Sequence, residues 1–281
     1  KRYLSRYHHI NLSVAALANS KKMYFESSGI SLNNWEDVLK EKGVKMNLKK
    51  FLAEMDQMNL RNSIFIDNTA DEHIASCYEE VLRMSISVVT PNKIAATQSI
   101  DSFISLKKTS LRYKSKFLYE TNVGAGLPVI STLGDLIKSG DEVTKIEAVL
   151  SGSLNFIFNN YDGSRPFAQI VKQAMEEGYT EPDPRIDLSG IDVKRKILIL
   201  IRDSVINMEM EDIKTVGFIP EDCMKARTIK SFLSQLEKHE NHFRNLYDKA
   251  HSKGKILKYV ASYGRGEAET GVRLIDNSHH F

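Results

Sequence analysis

Residues 63–93 read SIFIDNTADEHIASCYEEVLRMSISVVTPNK and carry the clearest pattern of helix and strand in the sequence. Residues 63–67 form a short apolar run that is typical of a buried strand, and residues 85–89 form another. Between them, residues 72–84 carry apolar side chains at helical spacing, at Ile74, Cys77, Tyr78, Val81 and Leu82. A strand, a helix and a second strand in this order predict neighbouring parallel strands joined by a helical crossover.

The same alternation continues on both sides of this unit. It predicts further strands at residues 11–18 and 117–119, and helices at residues 1–8, 34–41, 46–58 and 99–112. We therefore expect an α/β fold whose first part is an incomplete doubly wound (Rossmann-like) parallel sheet. In such sheets, ligands bind beyond the carboxyl ends of the strands. The polar residues at those ends are Asn19, Ser20 and Lys21, then Asn68 and Thr69, then Asn92 and Lys93.

The pattern changes after Gly126, and the second part is predicted to be an α+β domain. Helices are expected at residues 127–138, 154–160, 167–177, 189–205 and 228–252, with Gly178 ending the third of them. Strands are expected at residues 143–150, 256–262 and 271–276.

Composition excludes several classes of protein. The 281 residues are 42% hydrophobic and 27% charged, as in ordinary globular proteins. A net charge of +3 is too small to indicate a nucleic-acid partner, and no apolar run approaches the roughly 20 residues that span a membrane. The two cysteines, Cys77 and Cys223, have no metal-finger spacing, so we expect a reducing, cytoplasmic location without a structural disulfide.

A dinucleotide-binding sheet begins with a strand and a G-x-G-x-x-G turn, and this sequence contains no such turn. The closest match, Gly124-Ala125-Gly126, lacks the third glycine and comes late in the alternating segment. The sequence starts within a predicted helix, so we interpret it as an incomplete chain.

Three motifs carry a resemblance to a known family. They are TPNK at residues 90–93, ETNVGAGLP at residues 120–128 and GYTEPDPRIDLSGIDVKRK at residues 178–196. In this order and spacing they closely resemble homoserine dehydrogenase, most of all the C-terminal half of bifunctional aspartokinase–homoserine dehydrogenase. The resemblance implies reversible, NAD(P)H-dependent reduction of L-aspartate 4-semialdehyde to L-homoserine, in threonine and methionine biosynthesis. It also implies a homodimer or higher homo-oligomer, with a fused aspartokinase half as a further expectation.

Reduction of an aldehyde develops negative charge on its oxygen, which needs a proton donor or a cation within reach. By resemblance, Lys196 is the acid/base residue and Lys93 lies at the junction of cofactor and substrate. Lys196 follows Asp192 by four residues, so the two side chains share a helix face. On the residues alone, an ordinary surface ion pair explains the same spacing.

Homoserine carries an ammonium group, which carboxylates bind through charge-assisted hydrogen bonds. The resemblance assigns substrate binding to Glu181 and Asp192 and a supporting acidic position to Asp187. Helix-dipole complementation is an equal alternative for Asp187. Bifunctional relatives carry two successive aspartates after the arginine, whereas this sequence has Ile186 at the first position.

The expected cofactor contacts come from residues at the ends of predicted strands. Asn19, Ser20 and Lys21 include no acidic residue for a ribose 2′-hydroxyl, which favours NADP(H) over NAD(H). Thr69 is expected to face the nicotinamide or its ribose, to cap the following helix, or to do both.

By resemblance, the turn at residues 120–128 binds a monovalent cation, usually Na⁺. Its ligands are the Glu120 carboxylate and the carbonyl groups of Val123, Ala125 and Leu127, and oxygen ligands suit a hard cation. The alternative is a tight turn that only needs glycine.

Two other functions are alternatives to this one. An acylating aspartate-semialdehyde dehydrogenase needs a catalytic cysteine beside a histidine, and neither cysteine lies in a supporting motif. A non-catalytic or regulatory homologue would explain the missing dinucleotide loop. For the enzyme we expect a nucleotide-binding domain at residues 1–119, a cation-binding or interface turn at 120–128, a substrate and catalytic domain at 129–258 and interface strands at 259–281.

Overall fold

The computed structural model describes residues 1–281 and contains three sheets. The first is antiparallel, in the order β1-β2-β3, with β1 at Ala16–Ala18, β2 at Lys22–Phe25 and β3 at Val44–Lys45. The helices of this region are α1 (Arg2–His8), α2 (Trp35–Lys42) and α3 (Leu48–Met58). Asn47 begins α3, because its side chain accepts a hydrogen bond from the amide of Lys50.

The second sheet is parallel, in the order β4-β5-β6. Its strands are β4 (Ile64–Ile66), β5 (Ser87–Val89) and β6 (Phe117–Leu118). The crossover from β4 to β5 contains α4 (Glu72–Ala75) and α5 (Tyr78–Arg83), and the crossover from β5 to β6 contains α6 (Ile94–Thr97) and α7 (Ile100–Arg112). The βαβ prediction for residues 63–89 is therefore confirmed.

The third sheet has the order β7-β9-β10-β8 and is mixed, because β10 pairs with β9 antiparallel and with β8 parallel. Its strands are β7 (Lys145–Ala148), β8 (Ile213–Val216), β9 (Lys255–Gly264) and β10 (Glu267–Asp276). The helices are α8 (Val129–Lys138), α9 (Gly152–Asn160), α10 (Phe167–Glu176), α11 (Pro184–Leu188), α12 (Ile191–Asp203), α13 (Glu221–Met224), α14 (Ile229–Lys238) and α15 (Glu240–His251). Gly178 follows α10 in a left-handed conformation, with φ +75°, which agrees with its predicted role in ending this helix.

Two apolar clusters form the interior, and α12 belongs to both. The larger cluster contains 27 buried residues, including Leu198 of α12, and lies between the third sheet and its helices. The smaller contains 17 buried residues around the parallel sheet, including Ile199 and Leu200 of α12. The helix thus joins the two halves of the molecule through its own side chains.

The expectation of a buried strand at residues 11–18 is wrong in length, burial and pairing. Only Ala16–Ala18 is a strand, and Ala18 is exposed. This strand pairs antiparallel with β2, not with the parallel sheet. The reason is local: the amides of Lys21 and Lys22 both donate to the side-chain oxygen of Asn19, which closes a tight turn between the strands.

Two helices predicted to be continuous are each broken. The segment at residues 72–84 breaks at Ser76 and Cys77, where the Ser76 hydroxyl donates to the carbonyl of His73 and the Cys77 amide donates to that of Ile74. The segment at residues 228–252 breaks at His239, whose ring pairs with Asp222.

Cys77 lies in the smaller cluster and Cys223 in the larger, so the two buried thiols do not pair with each other. No helix is both long and apolar enough to cross a lipid bilayer.

Candidate active site

The helix α12 presents a polar face in its first half and is buried on all sides in its second half. Gly190 precedes it with φ +72°, and a Cβ at this position would lie 2.0 Å from the Tyr259 hydroxyl oxygen, so only glycine fits. On the polar face, the Lys196 Nζ lies 2.7 Å from the Asp192 Oδ2. The five successive residues from Ile197 to Ile201 are all buried, so this part of the helix is enclosed on every side.

A buried polar network holds the loop at residues 90–93. The Asp67 carboxylate accepts hydrogen bonds from the Tyr78 hydroxyl, from the Asn92 side-chain amide at 3.1 Å and from the Thr69 amide at 2.7 Å. The Thr90 hydroxyl donates to the Asp67 carbonyl at 3.0 Å and accepts from the Asn92 amide at 2.9 Å. These bonds fix the loop immediately before Lys93.

Lys93, Asp192 and Lys196 come together between the two halves. Lys93 Nζ lies 3.3 Å from Asp192 Oδ1, so one carboxylate bridges two ammonium groups. Burial raises the pKa of Asp192, but the Lys196 hydrogen bond and the charges of both lysines outweigh it and hold that pKa below its ordinary value. Lys196 Nζ also donates to the Leu150 carbonyl at 2.8 Å.

A cleft of about 290 Å³ opens beside this cluster. Its lining is mainly polar and comes from three segments: Ser151, Gly152 and Ser153; Gly178 and Tyr179; Asp187, Asp192, Val193 and Lys196. The Ser151 hydroxyl caps α9 by accepting from the Leu154 amide. The Tyr179 ring stacks on Phe156 at 4.1 Å between centroids.

Asp187 connects two of these segments. Its carboxylate accepts from the Ser153 hydroxyl at 2.8 Å and from the Glu181 amide at 2.9 Å. It therefore fixes the backbone of Glu181, whose own side chain is exposed and does not line the cleft. Pro184 is the first residue of α11, and Ile186 is 52% exposed on that helix.

The residues predicted to bind the cofactor do not all meet at this cluster. Asn19, Ser20 and Lys21 form the exposed hairpin turn of the first sheet, which contains no acidic side chain. The Thr69 hydroxyl accepts from the Asp71 amide at 3.1 Å, and Asp71 itself caps α4. The predicted capping role of Thr69 is therefore wrong, since Thr69 supports the turn before the cap.

The turn at residues 120–128 follows β6. Both Glu120 carboxylate oxygens accept hydrogen bonds from the first turn of α8, from the Ile130 amide at 2.8 Å and the Ser131 amide at 2.9 Å. The carbonyl oxygens of Val123 and Ala125 accept no hydrogen bond, whereas that of Leu127 accepts one from the Val129 amide. An all-oxygen donor set fits a hard monovalent cation, although the Glu120 charge already complements a helix N-terminus.

The same turn contacts the Lys93 loop. Asn122 is completely buried. With its amide nitrogen facing the loop, it donates to the carbonyls of Thr90 at 3.2 Å and Pro91 at 2.8 Å.

Sequence reasoning missed a buried arginine that joins the halves. Arg202 has a completely buried side chain and donates to the carbonyls of Ala96, at 3.1 Å, and Gln98, at 2.6 Å. It also pairs with the Glu209 carboxylate at 2.8 Å. Its position directly after a buried apolar run is a signal that the sequence did offer.

Sequence-family models match nearly the whole chain. The model described as "Homoserine dehydrogenase" matches residues 128–281, and the one described as "Homoserine dehydrogenase, NAD binding domain" matches residues 2–120.

Curated relatives agree. A chloroplastic bifunctional aspartokinase/homoserine dehydrogenase 1 from Arabidopsis thaliana is 36% identical, over 94% of this chain and 29% of its own length. A bifunctional aspartokinase/homoserine dehydrogenase from Haemophilus influenzae is 35% identical, over 98% and 34%. The chain thus spans about a third of these bifunctional relatives. A homoserine dehydrogenase from Schizosaccharomyces pombe is 35% identical, over 96% of this chain and 74% of its own.

Solved structures share the fold. A protein of unknown function from Candida auris superposes with a TM-score of 0.88 at 31% identity, covering 95% of this chain and 77% of that one. A hyperthermophilic archaeal homoserine dehydrogenase in complex with NADPH has a TM-score of 0.70 at 18% identity, covering 99% and 78%. The second likeness concerns the fold alone.

Proposed function

The chain belongs to the homoserine dehydrogenase family, and we propose that it performs the reaction of that family, the reversible reduction of L-aspartate 4-semialdehyde to L-homoserine. The observation that carries this proposal is the Lys93–Asp192–Lys196 cluster beside the polar cleft. A bound nicotinamide dinucleotide supplies the hydride. The protein must then protonate and stabilise the oxygen of the substrate.

Lys196 is placed to act on that oxygen. A lysine ammonium has three N–H groups, and here one donates to Asp192 and one to the Leu150 carbonyl. The third remains for a substrate oxygen in the cleft that Lys196 lines. We assign Lys196 the role of general acid in the reducing direction and of general base in the reverse direction, and Lys93 a supporting positive charge at the cofactor side.

We propose that Asp192 and Glu181 bind the substrate ammonium. Asp192 lines the cleft, and its lowered pKa keeps it ionised near neutral pH. Asp187 fixes the backbone of Glu181, two residues after the cleft-lining Tyr179. Asp187 is assigned a positioning role, since both of its oxygens are engaged with protein donors.

For the cofactor we propose NADP(H), with NAD(H) as the weaker alternative. Ser20 and Lys21 offer a hydroxyl and a cation on an exposed turn. That turn contains no carboxylate, which would repel a 2′-phosphate. Thr69 follows β4, next to the Asp67 network that holds the Lys93 loop, so we place it near the nicotinamide end. We further propose that Glu120 and the carbonyls of Val123, Ala125 and Leu127 can hold Na⁺ in a structural role.

The wider assembly is also a proposal. We propose the domain division at residues 1–119, 120–128, 129–258 and 259–281, although the last boundary falls within β9. We infer a fused aspartokinase half from the bifunctional relatives, and a homodimer or higher oligomer through the third sheet. Two unpaired, buried thiols are compatible with a reducing compartment, for which we propose the cytoplasm.

The test is NADP-linked oxidation of L-homoserine by the complete protein and by Lys196→Ala. We expect kcat to fall by roughly 10²–10⁴-fold, the usual contribution of a positioned acid or base. Lys194→Ala is the matched control, because Lys194 lies on the same helix and forms no ion pair. Absence of turnover by well-folded wild-type protein with either nicotinamide cofactor would overturn the enzyme proposal and favour a regulatory homologue.

A further inference from the structure

A second cluster of ligand side chains lies outside the candidate active site, where α13 meets the junction of α14 and α15. It consists of Asp222 and Cys223 from α13 and His239 from the junction, and we name it the Asp-Cys-His cluster. One carboxylate oxygen, the thiol sulfur and one ring nitrogen all lie within 4.8 Å of one another. We propose that this cluster binds one divalent cation of the zinc class.

The thiol is the strongest indication. Cys223 is completely buried, yet its sulfur forms no hydrogen bond, whereas the other buried thiol, that of Cys77, donates to the Ile74 carbonyl at 3.0 Å. A buried sulfur without a hydrogen-bond partner has its lone pairs free for a cation, and a coordinating thiol is deprotonated outright.

The other two groups provide access from solvent. Asp222 Oδ2 lies 2.7 Å from His239 Nε2, and the side chains are 55% and 34% exposed. An ion can therefore enter over the carboxylate and the imidazole and reach the sulfur at the base of the cluster. Ligand atoms around tetrahedral zinc are about 3.3–3.7 Å apart, as follows from bond lengths of about 2.0–2.3 Å. To bind zinc, the carboxylate and the imidazole must separate slightly and the sulfur must approach them, by shifts of about an ångström.

The ligand types select the metal. Thiolate, imidazole and carboxylate suit zinc, whereas magnesium and calcium prefer oxygen alone. Three protein ligands leave a fourth tetrahedral position for water.

A bound ion would join α13 to the point where the helix pair α14–α15 bends. None of the three residues lines the cleft, so we expect this ion to stabilise the fold without changing turnover.

The experiment is a Co²⁺ titration of metal-stripped protein, since tetrahedral Co²⁺ bound to thiolate gives a sulfur-to-metal charge-transfer band and visible bands. We expect one equivalent to saturate these bands, and one equivalent of Zn²⁺ to remove them by displacement. Cys223→Ser should abolish the charge-transfer band, and Asp222→Asn and His239→Gln should weaken binding at least tenfold. Cys77→Ser and His242→Gln are controls that should bind like the wild type, since His242 instead contacts the Phe218 carbonyl.

Thermal unfolding with and without Zn²⁺ distinguishes loss of metal binding from poor folding of a variant. Zn²⁺ should raise Tm of the wild type and of both controls, and should leave Tm of Asp222→Asn unchanged. Absence of a charge-transfer band in the wild type, or its persistence in Cys223→Ser, would overturn the proposal. So would equal Tm shifts in the wild type and Asp222→Asn, which would leave Asp222 and His239 as a structural ion pair only.

Discussion

Two regions of this molecule position two lysines at one carboxylate by different physical means. Lys93 ends a short loop after β5, which the buried polar network of Asp67, Tyr78 and Asn92 holds in place. Lys196 lies on α12, whose apolar side chains enter both interior clusters. The loop depends on directional hydrogen bonds, whereas the helix depends on non-directional packing.

The difference predicts how each region fails. When one member of a buried polar network is removed, the remaining groups lose hydrogen-bond partners and cannot reach water. This lowers the free energy of unfolding and disturbs the geometry of the network. Packed apolar side chains lose transfer energy and leave a cavity when they are truncated, but the helix axis stays defined by the remaining contacts. Changes in α12 should therefore affect stability first, and changes around Asp67 should affect the Lys93 loop first.

The largest effect on stability is expected from truncation in α12. Leu198→Ala removes packing from the larger cluster and Ile199→Ala from the smaller, and each should lower the free energy of unfolding by about 2–5 kcal/mol. Denaturant unfolding measures both. Leu111→Ala, at an 80% exposed position in α7, should stay within about 0.5 kcal/mol of the wild type. A loss below about 1 kcal/mol at both buried positions would contradict the packing argument.

Asp67→Asn should rank next. The asparagine oxygen can still accept from the Thr69 amide. Its NH₂ group then replaces the oxygen that accepted from the Tyr78 hydroxyl and the Asn92 side-chain amide, so donors face each other. We expect a loss of about 1–3 kcal/mol in unfolding free energy and a fall in turnover, through displacement of Lys93. Asp101→Asn, at an exposed position in the first turn of α7, serves as the control. Normal kinetics in a destabilised Asp67→Asn protein would show that the network does not position the loop.

Tyr78→Phe tests a single member of the network. Removing the hydroxyl leaves Asp67 with its bonds to Thr69 and Asn92, and Thr90 keeps its bond to the Asp67 carbonyl. The unfolding free energy should fall by about 1 kcal/mol, and turnover should fall less than in Asp67→Asn. An effect equal to that of Asp67→Asn would mean that the tyrosine organises the network.

The smallest expected effect is a pH dependence at the bridging carboxylate. The pKa of Asp192 is lowered in the folded state, so its ionised form stabilises the fold above the unfolded pKa of about 3.9. That stability disappears as pH falls through the lower, folded pKa. The difference in unfolding free energy between wild type and Asp192→Asn should therefore shrink on acidification below about pH 5. Asp135→Asn, which removes an exposed pair with Lys138, should show a smaller change.

The order of helices and strands could largely be predicted from periodicity, because apolar spacing records which face of an element is buried. Pairing between strands was less accessible. The β1–β2 hairpin depends on the Asn19 side chain, and β2 itself was not predicted. The break at His239 likewise depends on Asp222, 17 residues away, so local propensity could not reveal it.

For the candidate site, the i,i+4 spacing predicted the contact between Asp192 and Lys196. The approach of Lys93 to the same carboxylate is a tertiary contact that only the family resemblance suggested. Asp67 and Tyr78 escaped notice because Asp67 ended a strand pattern and Tyr78 fitted the apolar face of a helix. Buried hydrogen bonds between such positions are set by the fold as a whole.

The buried guanidinium of Arg202 also bears on motion. It ties α12 to the carbonyls of Ala96 and Gln98, a few residues beyond Lys93, and Asp203 beside it bonds to the Tyr119 hydroxyl and to Lys107. A rotation of one half against the other would have to keep these buried hydrogen bonds or leave their polar groups unpaired, which is costly.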